Sequence, residues 1–428
     1  MPDISVGTQI FDLIFHPTDS LVFTGLLTGH IEAFSYDEQG NHEHKLSLRP
    51  SKRSCRALAI DEDGGKLWTA GKAKAIHTID VPTGEIVETR SNAHDAPVNR
   101  MKHLTQFMFA SGDDDGVVKL WDSRKPEAVR SYNQHFDFIS DFLYLPDGKQ
   151  LVTTSGDGTL SVIDIRSKKT EPIAQSEDQE DELLSIVPIM GGKKFVVGTQ
   201  LGILSIFNRQ KGWGDCVDRV PGHPHSIDTL CALPSSYPSS RSTILTGSSD
   251  GLLRAVQLFP TKLLGVVADH GEFPIERIAV DRGGEGRWVG SAGHEEVIKL
   301  TNLREVFEDE DADEDAEENE DEEEEGDGGK ESKKSGSGSE SSSDDNEESR
   351  DGGEQLDEDE KDEDEKEDEE KDKSETGARQ NTDSSDDESE AEKNKRKRKN
   401  SKNPLHVAKR AKSGRKHVGA DGSFFADL

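Results

Sequence analysis

Seven times over, a short β-type run ending in a polar residue follows another short apolar run across a Gly- or Asp-bearing turn. The closing runs read AFSYD, IHTID, VKLWD, LSVID, LSIFN, LRAVQ and IKLTN, and they end at Asp37, Asp80, Asp122, Asp164, Asn208, Gln257 and Asn302. Neighbouring ends are 43, 42, 42, 44, 49 and 45 residues apart. Paired runs of this kind read as hairpins. A sustained period restricts the chain to a repeat architecture, because one such unit cannot bury its own apolar face and must stack on its neighbours.

A third apolar stretch lies upstream of each hairpin: FDLIF, CRALAI, VNRMKHL, ISDFLYL, LLSIVPI, IDTLCAL and IERIAV, several of them preceded by a histidine, namely His94, His135, His225 and His270. With a fourth strand at each junction the unit has four strands, the number in a propeller blade. The expected fold is all-β: a seven-bladed β-propeller over residues 3–303, with blade ends near 37, 80, 122, 164, 208, 257 and 302.

The stretch SGDDDGVVKLWDSR, from Ser111 to Arg124, offers three consecutive carboxylates in a glycine-bearing turn. Oxygen ligands of this kind suit a hard cation, and equally suit a solvated turn. Counting back seven from Asp122, Asp164 and Gln257 reaches Asp115, Asp157 and Asp250, each followed by glycine. The shared register favours a turn role for Asp115, and it places Asp113 and Asp114 on the turn tip. His223-Pro224-His225 has no cysteine or carboxylate at metal-ligand spacing and reads as a turn leading into a blade. The chain contains no Walker loop, HExxH or dinucleotide fingerprint. No enzyme activity, cofactor, metal or small-molecule substrate is expected.

Beyond the repeats the composition changes. Residues 308–392 carry 44 acidic and 9 basic residues with no Val, Ile, Phe, Trp or Tyr, so the segment cannot bury a core and reads as disordered. Within it Ser341, Ser342, Ser384 and Ser385 each have an acid three residues later, the spacing that acid-directed kinases favour. An unmodified solvating tract is the equal alternative. Residues 393–428 carry 12 basic and 2 acidic residues. The clusters Lys393, Lys395, Arg396, Lys397, Arg398, Lys399 and Lys409, Arg410, Lys412 suit nuclear import more than RNA phosphate contact. Phe424 and Phe425 form a short apolar motif in the polar tail and are candidate partner contacts. Three cysteines without ligand spacing suit a reducing compartment. The absence of an apolar run of eighteen residues predicts a soluble chain that is neither secreted nor membrane-bound.

The span from Ala93-His94 to Trp121-Asp122 resembles the GH…WD signature of WD40 repeats. The fourth unit keeps His135, Asp157 and Asp164 but has Ile163 where the signature has Trp. This resemblance implies a hydrogen-bonded set of His94, Ser111, Asp115 and Trp121. It also implies that Asp3 to Thr8 supply the outer strand of the last blade. Trp121-Asp122-Ser123-Arg124 and Asp164-Ile165-Arg166 are similar to boxes by which WD40 substrate receptors of cullin-RING ligases contact their adaptor. Local pairing of Arg124 with an acidic neighbour is the favoured alternative. Taken in order, propeller, acidic Ser-rich tract and basic end closing in SFFADL resemble the WD repeat-containing protein 55 family. That resemblance implies a nucleolar scaffold linked to ribosomal RNA production and ribosome biogenesis, with ribosome-assembly factors or basic proteins as partners and weak RNA contact by the basic tail. A ubiquitin-ligase receptor and a histone-binding chaperone are the alternatives.

Overall fold

Several runs have apolar or small residues at every position, so their strands need cover on both faces rather than one. Thr243–Ser248 and Trp288–Gly293 are buried along their whole length, the pattern of strands sandwiched between other layers. In the computed structural model, which describes residues 2–307 except Pro238, the chain forms seven four-stranded sheets. All their strand pairs are antiparallel. The seven-bladed β-propeller expected from the period is the fold observed.

Strands a to d are counted outward within each blade. The a strands are Ile10–Phe15, Cys55–Ile60, Val98–Thr105, Ile139–Leu145, Leu183–Ile189, Ile227–Ala232 and Ile275–Val280. They surround a central channel whose lining draws on every blade. The c strands end at Tyr36, Asp80, Asp122, Asp164, Asn208, Gln257 and Asn302, one residue before the expected end in the first blade and at the expected residue in the other six. An antiparallel meander puts the a–b and c–d turns on one face, here the lower, and the b–c turns and blade connections on the other, the upper.

Seven apolar clusters hold the ring, each shared by two adjacent blades. Between the second and third blades Trp68 stacks on Phe109 at 4.8 Å and Phe109 on Trp121 at 6.2 Å. The Arg90 guanidinium caps the Phe109 and Trp121 rings at 5.3 and 5.4 Å. Large rings bring most of the buried area at such a joint, and the guanidinium adds its attraction for their faces.

The last blade takes its d strand from the other end of the chain. Asp3–Ser5 pairs with Val297–Asn302 in the register Asp3↔Lys299, Ile4↔Ile298 and Ser5↔Val297. Only these three of the six residues expected there are strand. Val6 and Gly7 instead donate their N–H groups to the Glu296 carbonyl. Leu303–Phe307 forms one further helical turn. The acidic tract with its four candidate serines, the basic clusters, Phe424 and Phe425 all lie outside the described residues.

Candidate functional site

His94, Ser111 and Trp121 meet as the repeat signature implied, but the carboxylate with them is Asp113, not Asp115. His94 Nδ1 lies 2.7 Å from Asp113 Oδ2, His94 Nε2 lies 2.6 Å from Ser111 Oγ, and Trp121 Nε1 donates to Ser111 Oγ at 2.7 Å. Burial pushes the His94 pKa down, with Asp113 opposing it. A neutral ring fits, its Nδ1–H donating to the carboxylate and its Nε2 accepting from the hydroxyl. Asp113 ends its b strand two residues after Ser111 and so shares that residue's face. Its second oxygen takes the N–H groups of Asp115 and Val117. Asp115 is the exposed tip of the turn, and Asp114 pairs with Arg56 and Asn99. The turn-tip placement of Asp113, which ends the strand, is therefore corrected as well, while Asp114 lies in the turn but paired rather than solvated. Replacing Asp113 by Ala, which strands a buried imidazole and two amides, is expected to cost about 2–3 kcal/mol in urea unfolding. The same change at Asp115 should stay within about 0.5 kcal/mol.

The other blades vary the same joint. In the fourth, His135 bonds Asp157 at 3.1 Å and Ser161 at 2.8 Å. Burial pushes the Asp157 carboxyl up, but bonds from His135, the Phe136 N–H and Thr159 outweigh it and hold the group well below the usual carboxylate range. In the seventh, His270 bonds Glu295 at 2.8 Å and Ser291 at 2.7 Å. In the sixth it is His223 that reaches Thr246, at 2.9 Å, while His225 is exposed. Burial, then the charge of Arg254, pushes the His223 pKa down to about 4. Asp250 pairs with that Arg254 at 2.6 Å rather than with a histidine. Among the described residues no group of three or more His, Cys, Asp or Glu is placed to hold a metal.

A second polar set crosses the channel. Every a–b pair has a register shift after the first residue of its a strand. Such a bulge re-aims the next side chains. The residue just past the shift is Asp12, Ala57, Arg100, Asp141, Ser185, Thr229 or Arg277 in blade order. Four of these are charged, and they meet as Arg100 to Asp12 at 3.4 Å, Arg100 to Asp141 at 3.1 Å, and Arg277 to Asp12 at 3.3 Å. Asp12 also accepts the N–H of Leu58 in the next blade at 2.7 Å, and Asp141 accepts that of Ile186 in its next blade at 3.1 Å. Burial, with Arg100 alongside, lowers the Arg277 pKa. Nothing in the sequence analysis singled out this belt.

Cavities lie at both mouths of the channel. The lower, about 660 Å3, is lined largely by apolar residues of the a strands; the upper, about 250 Å3, includes Phe11, Phe138, Leu184 and Asp228. Burial, only partly offset by a bond from Ser226, pushes the Asp228 carboxyl up to about 6. A raised folded-state pKa gives stability that is present below the unfolded value near ~4 and lost as pH rises through about 6. Asp228→Asn is therefore expected to be about 2 kcal/mol more stable than the parent at pH 8 and no more stable at pH 4. Equal urea midpoints at pH 8 would show that the buried carboxylate carries no such burden.

Arg124 and Arg166 occupy equivalent places past their c strands. Each makes a two-pronged pair with its own aspartate, Arg124 with Asp122 at 2.9 and 2.8 Å and Arg166 with Asp164 at 3.0 and 2.8 Å. These bonds, from the side chain and then the backbone of Arg124, hold Asp122 far below the usual carboxylate range. The matching set around Arg166 takes Asp164 down to about 2. Arg124 also lies 4.2 Å over the Phe107 ring. The arginines are nevertheless 62% and 66% exposed, so one side of each guanidinium faces solvent.

The WDR55 family model matches residues 1–306, the whole propeller. The chain belongs to the WDR55 family. Among its relatives, the WD repeat-containing protein JIP5 of Laccaria bicolor is 62% identical over 324 residues, covering 72% of this chain and 77% of that protein. The WD repeat-containing protein 55 of Arabidopsis thaliana is 37% identical over 310 residues, covering 72% and 84%. That of Rattus norvegicus is 35% identical over 312 residues, covering 72% and 78%. In this WDR55-family propeller the polar sets at the joints and across the channel bind blade to blade. A WD-repeat propeller of this kind is a protein-interaction scaffold.

Proposed function

We propose that this WDR55-family chain is a non-enzymatic scaffold of the nucleolus that serves ribosome assembly and ribosomal RNA production. The observation that carries the scaffold reading is where the buried polar groups are used. The His94, His135 and His270 sets each hold a blade connection against a b–c turn, and the Asp12 belt ties four blades across the channel. The nuclear address is supported by the basic clusters of residues 393–412, whose density suits import receptors.

Two measurements test it. Tagged chain should concentrate in nucleoli and co-purify with precursor ribosomal RNA and assembly factors, and neutralising the basic clusters should abolish the localisation. A chain that stays cytoplasmic, or that returns no ribosomal particle, would overturn the proposal. Abutting blocks of opposite charge also attract one another, an attraction that ordinary salt screens beyond roughly 8–10 Å, so removing residues 308–392 should raise the RNA affinity of the basic end at low salt.

The exposed, equivalently held Arg124 and Arg166 favour one second reading, a ubiquitin-ligase adaptor contact, because a guanidinium with a free edge can bind a partner carboxylate. Replacing both by Ala should then abolish adaptor co-purification while leaving the ribosomal association intact.

A further inference from the structure

On the upper face of the fourth and fifth blades two large apolar side chains stand in solvent. Phe136 is 90% exposed and Leu201 is 68% exposed, the two highest values for large apolar residues among those described. Neither has an internal packing role, so the fold gains nothing from keeping them apolar. They belong to one continuous surface centred on the turn Gly156-Asp157-Gly158. The Phe136 N–H donates to Asp157 Oδ2 at 3.0 Å. Phe138 lies so close over Gly156 that a Cβ there would be 2.4 Å from its ring. The connection 177–182 rests on the same turn through the Gln179 N–H to the Gly158 carbonyl, and it holds Leu201 through Asp181, which accepts the Leu201 N–H at 3.2 Å. Phe138 and Leu184 then carry the apolar strip inward to the mouth of the channel.

The charge around this strip is mostly of one sign, with Arg219 at its edge against Gln179 and Arg56 and Arg277 at its channel end. Residues 177–182 read EDQEDE, five carboxylates in six positions, and Asp137 adds a sixth between the two phenylalanines. None of the six forms an ion pair among the described residues, in contrast to the local pairs at Arg124, Arg166, Arg209 and Arg254. Exposed rings beside unpaired carboxylates lose little by being covered with apolar stems that end in cations.

We propose that this strip is the docking site for an extended segment of a partner protein rich in lysine or arginine and interspersed with apolar residues. Its apolar side chains cover Phe136, Phe138 and Leu201 while its cations meet the 177–182 carboxylates. This rests on the scaffold reading above and names the chemistry of one partner.

The test uses the full chain at 150 mM salt and two labelled synthetic peptides of equal length, one of Lys, Arg and Leu and one of Lys, Arg and Gly, each bearing a photoactivatable group. The leucine peptide should bind at least tenfold more tightly and cross-link within residues 134–138, 177–184 and 199–202. Phe136→Ser with Leu201→Ser should weaken it at least tenfold without changing its affinity difference at low and high salt. Glu180→Lys with Glu182→Lys should weaken both peptides and flatten their salt dependence. All four positions are exposed, and unchanged melting of the variants checks that the fold is intact. Equal binding of the two peptides, or cross-links confined to 308–392, overturns the proposal. So does cross-linking of the chain's own 393–416 to the strip in the absence of peptide. If both variants keep every protein that co-purifies with the parent, this surface fails and the scaffold reading stands. If the parent itself co-purifies none, the scaffold reading fails.

Discussion

Deleting the first eight residues is expected to destabilise the propeller by about 5 kcal/mol or more, although they contribute only a three-residue strand. Ile4 is fully buried in the cluster joining the last blade to the first, beside Ile10, Ile298 and Leu300. Losing a side chain of that size from a packed joint costs about 2–5 kcal/mol on its own. The ladder with Val297–Asn302 goes as well, together with the bonds of the Val6 and Gly7 N–H groups to Glu296 and of the Leu300 N–H to the Pro2 carbonyl. What remains is a c strand with a bare edge, a template for pairing with another chain. The truncated chain should therefore unfold at lower urea and scatter light on warming. Ile4→Ser in the full-length chain should show the first effect without the second, because its ladder survives. A truncation with the midpoint of the parent would mean the ring does not depend on this strap.

That strap shows which parts of the molecule can be read from the sequence and which cannot. The period is set by strand ends, each a local event in a run such as VKLWD, and so the blade count and six of the seven c-strand ends are legible. The strap pairs residues nearly three hundred positions apart, and no local pattern in Asp3–Ser5 marks it; only likeness to other propellers pointed there. Asp113 went unrecognised for a different reason. Counting back from Asp122 treats every turn as equivalent, and it does find the right carboxylate in Asp157. In the third blade a carboxylate stands two positions earlier, where the fourth has Ser155, and its two oxygens do both jobs: one caps the turn, the other meets histidine. The alternation of β-strand faces, which puts Asp113 on the side of Ser111, was the signal that distinguishes it.

The channel belt was also written in the sequence. FDLIF, VNRMKHL, ISDFLYL and IERIAV share a charge at the same place inside a largely apolar run, the second and fourth of these runs adding another nearby in Lys102 and Glu276. A charge at alternate positions normally marks the wet face of a half-buried strand. The a strands have no wet face in that sense, since their free edges converge on an axis where only another blade's side chain can answer. The bulge that turns those residues inward is a backbone event without a residue signature, and it hid the convergence.

Asp12 is the position where that convergence can be measured. It meets two arginines from the third and seventh blades and two backbone amides, one its own neighbour's and one in the second blade, while remaining almost wholly buried. Asp12→Ala leaves Arg277 without a carboxylate in ion-pair range among the described residues and sets it beside Arg100. Breaking a buried pair from one side costs about 3–5 kcal/mol, because the remaining charge stays desolvated. Asp12→Asn should lose less, since its oxygen still accepts the Leu58 N–H. Pairing Asp12→Ala with Arg277→Met removes the stranded charge, so the double variant should be more stable than the two single losses added together, by about 1–3 kcal/mol. Salt provides a comparison: 1 M sodium chloride should screen an exposed pair such as Lys45–Glu43 far more than the belt, whose side chains are largely buried. A coupling that vanishes in salt, or single losses that simply add, would mean that the four charges neighbour one another without holding the blades together.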